Sequence, residues 1–191
     1  MSTIGREHTL HLAIVGIGGV GSELIQQLVD SDNPYPISIA AISNSRKMRL
    51  FTDGASCFIP KQGTNALDDP SAQAASLDGL LDGLSSLAQR KPGKVVLVDN
   101  TASQTVAETY PRFLDAGIHV VTPNKKAFSG SLELYKRIVG SVADRTHGRG
   151  VFYNEATVGA GLPIISTLKD VVNTGDKVGV LDRIGRVDVR R

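Results

Sequence analysis

The sequence has one cysteine, Cys57, no tryptophan, and only 5% aromatic residues among its 191 positions. A lone thiol closes no internal disulfide, and no second thiol or histidine pair stands at metal-ligand spacing around it, so a reducing, cytoplasmic setting fits. Charge of one sign is also missing. Lys+Arg 21 against Asp+Glu 19 leave +2, with the basic residues scattered, so neither a nucleic acid nor an anionic membrane is expected as a partner. No run reaches the roughly 18 consecutive apolar residues of a membrane span. The apolar stretch from Leu10 to Val20 is interrupted by glycines and lacks a small-residue cleavage site, which argues against a signal peptide. His8, His11 and His147 have no partners at catalytic or metal spacing, and His119, inside an apolar strand, reads as a satisfied core residue.

What is present is 41% hydrophobic, with 20 glycines and 8 prolines, the balance of one globular domain able to bury roughly 70% of its unfolded surface. Thr9 to Val15 reads as a buried strand that runs into a glycine cluster and then a helix over Ser22 to Val29. After the Asn33-Pro34-Tyr35-Pro36 breaker comes a second strand, Ile37 to Ile42. Residues Arg46 to Ser76 show little periodicity and read either as a surface loop or as a small helix plus loop. Leu80, Leu81, Leu84, Leu87 and Ala88 then share one helical face, and Val95 to Val98 forms an apolar strand. Further strands are expected at Ile118 to Val121 and Val151 to Tyr153. Between them, Leu132, Tyr135, Ile138, Val139 and Val142 mark an amphipathic helix, and a last helix begins at Pro163 and ends before Gly175. Apolar strands separated by helices predict an α/β domain with a doubly wound parallel sheet, Rossmann-like, over residues 1–175. Residues 176–191 are expected to form a short tail with edge-strand alternation.

Gly16-Ile17-Gly18-Gly19-Val20-Gly21 satisfies G-x-G-x-x-G between a strand and a helix, the context in which the pattern points to a dinucleotide. Gly16 permits the turn, Gly18 admits a pyrophosphate to the main chain, and Gly21 allows close helix–strand packing. A flexible turn between core elements is the plainer alternative. Where the second strand ends, the acidic residue that would hold a ribose diol is replaced by Ser43-Asn44-Ser45-Arg46-Lys47. Ser43, Arg46 and Lys47 suit a 2′-phosphate, hence NADP in preference to NAD, unless the two cations are merely solvated. Val98-Asp99-Asn100-Thr101-Ala102-Ser103 leaves a strand on the ligand side of the sheet. There Thr101 and Ser103 are placed either to touch the nicotinamide half of a cofactor or to cap the next helix, and both can hold together. Thr122-Pro123-Asn124-Lys125-Lys126 places two lysines near the same crevice. Lys125 is the candidate functional one and Lys126 the solvent-facing one. Glu155, before the small-residue turn through Val158, Ala160 and Leu162, reads as a ligand for a cation or amine or as a cap for neighbouring amides.

GIGGVG, VDNTAS, TPNKKAFSG, YNEATVGAGLPII and TGDKV, in this order, resemble the amino-terminal half of homoserine dehydrogenase over residues 10 to 178. The resemblance implies reversible hydride transfer between NAD(P) and the homoserine/aspartate 4-semialdehyde pair, on the route to threonine, methionine and isoleucine. It assigns Lys125 to the nicotinamide and substrate. Gly16, Ile17, Gly18, Gly19, Val20 and Gly21, with Thr101, Ala102 and Ser103, line the cofactor. Glu155 and the main chain of Val158, Ala160 and Leu162 match a monovalent-cation site, sodium being the expected ion. The family is a homodimer. Beyond TGDKV the likeness stops, so on the resemblance the family's substrate-binding, dimer-forming domain is expected to be missing from residues 176–191. Three readings stay open: a shortened oxidoreductase, a non-catalytic dinucleotide-binding module that associates with a complete relative, or a Rossmann protein that takes no nicotinamide cofactor.

Overall fold

The computed structural model describes residues 9–30, 36–51, 66–143 and 149–175. Its central strands are apolar almost throughout: LHLAIV in β1 (Leu10–Val15), ISIAAIS in β2 (Ile37–Ser43) and VVLVD in β5 (Val95–Asp99). β1 pairs in parallel with β2 on one side and β5 on the other, and β6 (His119–Val121) and β7 (Phe152–Tyr153) extend the parallel set. The chain builds outward from β1 in one direction, then returns to its other side. This places a topological switch point between β1 and β5, the position at which open α/β sheets bind ligands.

In the stretch from Arg46 to Ser76, residues 52–65 lie outside the described residues, and the strands found in the rest depart from both sequence expectations. Lys47–Leu50 folds back on β2 as antiparallel β3, and β4 (Gln73–Ala74) pairs antiparallel with it, so the sheet order is β4-β3-β2-β1-β5-β6-β7 and one edge is mixed. One side chain sets the reversal. Asn44 Oδ1 accepts the N–H groups of Arg46 and Lys47 at 2.8 and 2.7 Å, and the Asn44 N–H donates to the Lys47 carbonyl at 2.9 Å. A four-residue strand with one buried residue, Met48, carries too little alternation to be read from sequence.

Helix α1 (Gly19–Asp30) starts three residues before the expected Ser22. In α2 (Leu77–Arg90), Leu80, Leu84, Leu87 and Ala88 are buried, and the capping Ser76 Oγ accepts from the Gly79 N–H at 3.0 Å. α3 (Gln104–Asp115) buries Val106, Ala107, Tyr110, Phe113 and Leu114. The short α4 (Lys126–Ser129) leads into α5 (Leu132–Ala143). The buried face of α5 differs from the expected stripe: Leu134 and Ile138 are inside, whereas Leu132, Tyr135 and Val139 are exposed. Hydrophobicity on two sides of a helix defines no single face, and packing against α3 selects one. α6 (Ile164–Asn173) buries no side chain and ends at Thr174, followed by Gly175 at φ 90°.

Expected helix cover on both faces of the sheet is met unequally. α2, α3 and α5 pack on one face through a cluster that includes Leu84, Leu97, Phe113 and Val120. On the opposite face the cluster includes Leu12, Ile14, Ile39, Ile42, Val96 and Val98, and its buried cover among the described residues is Ile25 of α1 with Ala66 and Leu67. The expected tail 176–191 and Cys57 lie outside the described residues.

Candidate cofactor site

The glycine loop joins β1 to α1 at the switch point. Gly16 has φ +85°, and a Cβ there would stand 2.6 Å from Thr101 Cγ2; a Cβ on Gly21 would stand 2.0 Å from the Gly16 carbonyl oxygen. Both positions exclude a side chain, one by backbone conformation and both by contact. Gly18 and Gly19, by contrast, have open space where a Cβ would be. Ser22 closes the loop through its N–H to the Gly18 carbonyl at 2.9 Å and its Oγ to the Ile17 carbonyl at 3.1 Å. Ile17 packs against the α1-side core and Val20 is 63% exposed. The N–H groups of Gly18, Gly19, Val20 and Gly21 find no acceptor among the described residues, which leaves a set of donors and a positive helix end facing solvent, the arrangement that binds phosphate oxygens.

Two crevices flank this loop. The first, about 450 Å³, has Val15 at its base, Ser43, Asn44 and Ser45 on one wall and Thr101, Ala102 and Ser103 on the other. It therefore brings Ser43 together with the Thr101–Ser103 segment, but Arg46 and Lys47 are not part of its lining. Arg46 is exposed beside it, and its guanidinium makes no ion pair with a described residue; Lys47 Nζ instead donates to the Leu67 carbonyl at 3.2 Å. Ser103 caps α3, its Oγ accepting from the Val106 N–H at 3.3 Å, and Thr101 Oγ1 accepts from the Ser103 N–H at 3.1 Å. The second crevice, about 670 Å³, lies on the α1 side of the sheet, with Gly19 and Val20 at one rim, Val98, Asn100, Val121 and Tyr153 along the strands, and Thr122, Pro123 and Glu155 at their carboxyl ends.

Beneath both crevices is a buried polar network that the sequence reading did not single out. The Asp99 carboxylate is wholly buried and accepts from the Tyr110 hydroxyl, from Asn124 Nδ2 at 3.0 Å and from the Thr101 N–H at 2.7 Å. Asn124 Nδ2 also lies 2.9 Å from the Ser103 carbonyl, its Oδ1 accepts from the Lys126 N–H, and Thr122 Oγ1 donates to the Asp99 carbonyl at 2.9 Å. Burial foremost, and then the adjacent carboxylate, push the Tyr110 hydroxyl far above the ordinary phenol range, so it acts only as a neutral donor. The network ties the loop after β5 to the loop after β6. Its visible signal in the sequence was the set of polar residues, Asp99, Thr122 and Asn124, closing strands that are otherwise apolar.

Lys125 stands immediately before α4 on the ligand side of the sheet and is exposed; so is Lys126, so exposure does not separate the two. Glu155 caps α6: Oε1 accepts from the Ile165 N–H at 2.8 Å and Oε2 from the Ser166 N–H at 3.0 Å. The turn that follows runs through Gly159 and Ala160, both at positive φ, and the Leu162 carbonyl accepts from the Ile164 N–H at 2.9 Å. No cluster of three or more His, Cys, Asp or Glu side chains stands together to hold a metal among the described residues, and none of the described helices is long and apolar enough to cross a membrane.

Residues 16–154, the span from the glycine loop to the end of β7, match the family described as "Homoserine dehydrogenase, NAD binding domain". The chain belongs to the homoserine dehydrogenase family. It is 42% identical over 172 residues to the homoserine dehydrogenase of Emericella nidulans, covering 88% of this chain and 45% of that protein. It is 38% identical to that of Paracoccidioides brasiliensis, covering 89% and 45%, and 33% identical to that of Saccharomyces cerevisiae, covering 92% and 46%. Thus the chain spans about half the length of the homoserine dehydrogenases it matches. Among solved structures, a Candida auris protein of unknown function superposes with TM-score 0.74 at 38% identity, covering 89% of this chain and 45% of that one. The homoserine dehydrogenase of Thermoplasma acidophilum superposes with TM-score 0.61 at 20% identity, and a hyperthermophilic archaeal homoserine dehydrogenase solved with NADPH with TM-score 0.57 at 21%; these two share the fold. The Rossmann-like α/β architecture and the NAD-binding domain assignment agree with the sequence reading.

Proposed function

We propose that this chain binds a pyridine dinucleotide across the carboxyl ends of β1 and β5, and forms the cofactor-carrying half of an oxidoreductase acting on the homoserine/aspartate 4-semialdehyde pair. The observation that carries this reading is the packing of the glycine loop: Gly21 against the Gly16 carbonyl, Gly16 against Thr101, and open space over Gly18 and Gly19. Residues 1–175 constitute the dinucleotide-binding domain on this reading, with 176–191 as a tail, and the reducing cytoplasm suits its lone Cys57.

The free N–H groups of Gly18 to Gly21 meet the pyrophosphate, and Ser43 with Thr101, Ala102 and Ser103 holds the adenosine half in the first crevice. The crevice that Thr101 and Ser103 share with the Ser43–Ser45 turn supports this side over the nicotinamide half, which the sequence left open beside a capping role. Arg46, unpaired among its described neighbours, reads the 2′-phosphate of NADP; Lys47, already bonded to Leu67, adds field more than contact. When bound, the cofactor supplies or takes up a hydride at its nicotinamide ring. Lys125 compensates charge on the substrate oxygen at the same edge of the sheet.

A monovalent cation fits the Glu155 turn in chemical kind. Glu155 Oε2 accepts one N–H, and the carbonyls of Val158 and Ala160 receive none from described residues, so all available donors are hard oxygens, with the Leu162 carbonyl already shared.

Fluorescence titration of the chain with NADPH and NADH, each in sodium, potassium and tetramethylammonium salts, tests these assignments together. Saturable binding is expected, about tenfold tighter for NADPH, with Arg46→Ala removing that preference because a charge-assisted phosphate contact is lost. Sodium-dependent tightening that disappears in Glu155→Gln is expected for the cation. Failure of both nucleotides to saturate would overturn the dinucleotide reading. Absorbance of the reduced cofactor with homoserine present then separates an enzyme from a binding module.

A further inference from the structure

Asn100 follows β5, and its N–H still donates to the Val15 carbonyl at 2.8 Å, so its backbone extends the ladder between the two central strands. Alternation along β5 places Val96, Val98 and then Asn100 on the α1 face, while Leu97 and Asp99 face α3. The two neighbouring polar side chains fare differently. Asp99 accepts three hydrogen bonds, whereas Asn100 Nδ2 is sealed from solvent with no acceptor, the one such buried side-chain atom among the described residues. It lies 3.4 Å from where a Cβ on Gly21 would stand, directly behind the glycine loop. A buried amide N–H left unpaired is destabilising, and native proteins retain few of them.

The same side chain lines the second crevice, where the strands present an apolar floor of Val98, Val121 and Tyr153. Val121 and Tyr153 are 38% and 59% exposed there. A flat apolar floor with one primary amide at its edge suits a planar aromatic ring that itself carries a carboxamide, since each amide both donates and accepts. We infer that Asn100 recognises the nicotinamide end of the dinucleotide, with the ring on the Val98–Val121–Tyr153 floor and the Asn100 amide paired to the ring's carboxamide. A half-turn about χ2 exchanges the two ends of the amide and brings Nδ2 to the crevice. This assignment rests on the dinucleotide reading and adds to it the residue and the sheet face that hold the reactive ring.

The test is a comparison of two ligands that share the adenosine half: NADP+, which has the ring, and adenosine 2′,5′-bisphosphate, which lacks it. Calorimetric titration of wild type and Asn100→Ala is expected to show about tenfold weaker NADP+ binding in the variant and unchanged binding of the bisphosphate, the loss of one amide pairing. Thermal melting of Asn100→Ala at or above the wild-type temperature is expected, because removing an unpaired buried amide removes a destabilising group. Equal weakening of the two ligands, or NADP+ binding that is unaffected, would overturn the assignment while leaving the dinucleotide reading in place. Wild-type protein that binds neither ligand would overturn both.

Discussion

The two faces of the sheet are built by alternate residues of the same strands, and over β6 and β7 they reach opposite conditions. Val120 is fully buried against Phe113 and the α3 side, while its neighbour Val121 is 38% exposed. Phe152 packs in the first face between the rings of Tyr110 and Phe128, at centroid distances of 5.7 and 5.3 Å, and Tyr153, one residue on, is 59% exposed. Intrinsic strand preference is the same on both sides. The difference is the presence of a helix on one side and a crevice on the other, so burial within a strand reports what packs on it.

The comparison is tested most strongly by large truncations on each side. Phe113 is wholly buried, and Phe113→Ala is expected to cost about 3–5 kcal/mol through lost burial and a residual cavity. Val121→Ala on the open face is expected to change stability by no more than about 0.5 kcal/mol. Urea unfolding of the two variants measures both. A Val121→Ala cost approaching that of Phe113→Ala would mean that the second face is covered in solution, and the contrast would fail.

A smaller effect separates the polar groups of the two faces. Tyr110→Phe removes the hydroxyl donor from the buried Asp99 carboxylate and is expected to cost about 1–3 kcal/mol, the range for leaving a buried acceptor short of a partner. Faster hydrogen exchange at the Thr101 N–H, which Asp99 Oδ1 holds at 2.7 Å, is expected with it. Removing the Asn100 amide on the opposite face carries no such penalty. Tyr110→Phe with unchanged stability and unchanged exchange at Thr101 would show that the network adds nothing to the loops it joins.

Much of this organisation was legible in the residues. Uninterrupted apolar strands, the glycine cluster, the α2 stripe and the capping role of Ser103 are local patterns with local causes, and each stands where the sequence placed it. The antiparallel β3 was not legible, because its register depends on the Asn44 side chain bonding two N–H groups across a turn, and one buried Met48 carries no period. The α5 face was read only in part, for a different reason: Ile138 and Val142 do pack on the core, but Leu132 and Val139 are about as hydrophobic as Leu134, and only the position of α3 decides between them. In the site, Glu155 shows the limit of spacing arguments. The same carboxylate serves a helix cap or a cation, and the hydrogen bonds to Ile165 and Ser166 become visible only once α6 is in place. Asp99, Tyr110 and Asn124 were missed as a group because they meet through contacts 11 and 25 residues apart in the chain.

The smallest expected effect lies at the far end of the covered face, away from the crevices. His11 and Ser38 are partners in the β1–β2 ladder, both are buried, and Ser38 Oγ lies 2.8 Å from His11 Nδ1. Burial foremost, and then the Lys91 ammonium beyond the end of α2, hold the His11 imidazole below its ordinary value of 6.5. The folded protein therefore resists a proton that the unfolded chain accepts. Above the unfolded value the contribution to stability is complete, and it is lost as pH falls from there through the folded value. Stability measured from pH 7.5 downward is expected to fall on the acid side of about 6.5, with a shallower fall in His11→Gln, which keeps a polar side chain without a titrating ring. Ser38→Ala should leave the slope in place and lower only its level, since it removes the hydrogen bond and not the burial. A pH dependence identical in wild type and His11→Gln would mean that this end of the face is wet enough to admit the charged ring, and that the covered face is sealed only around α3.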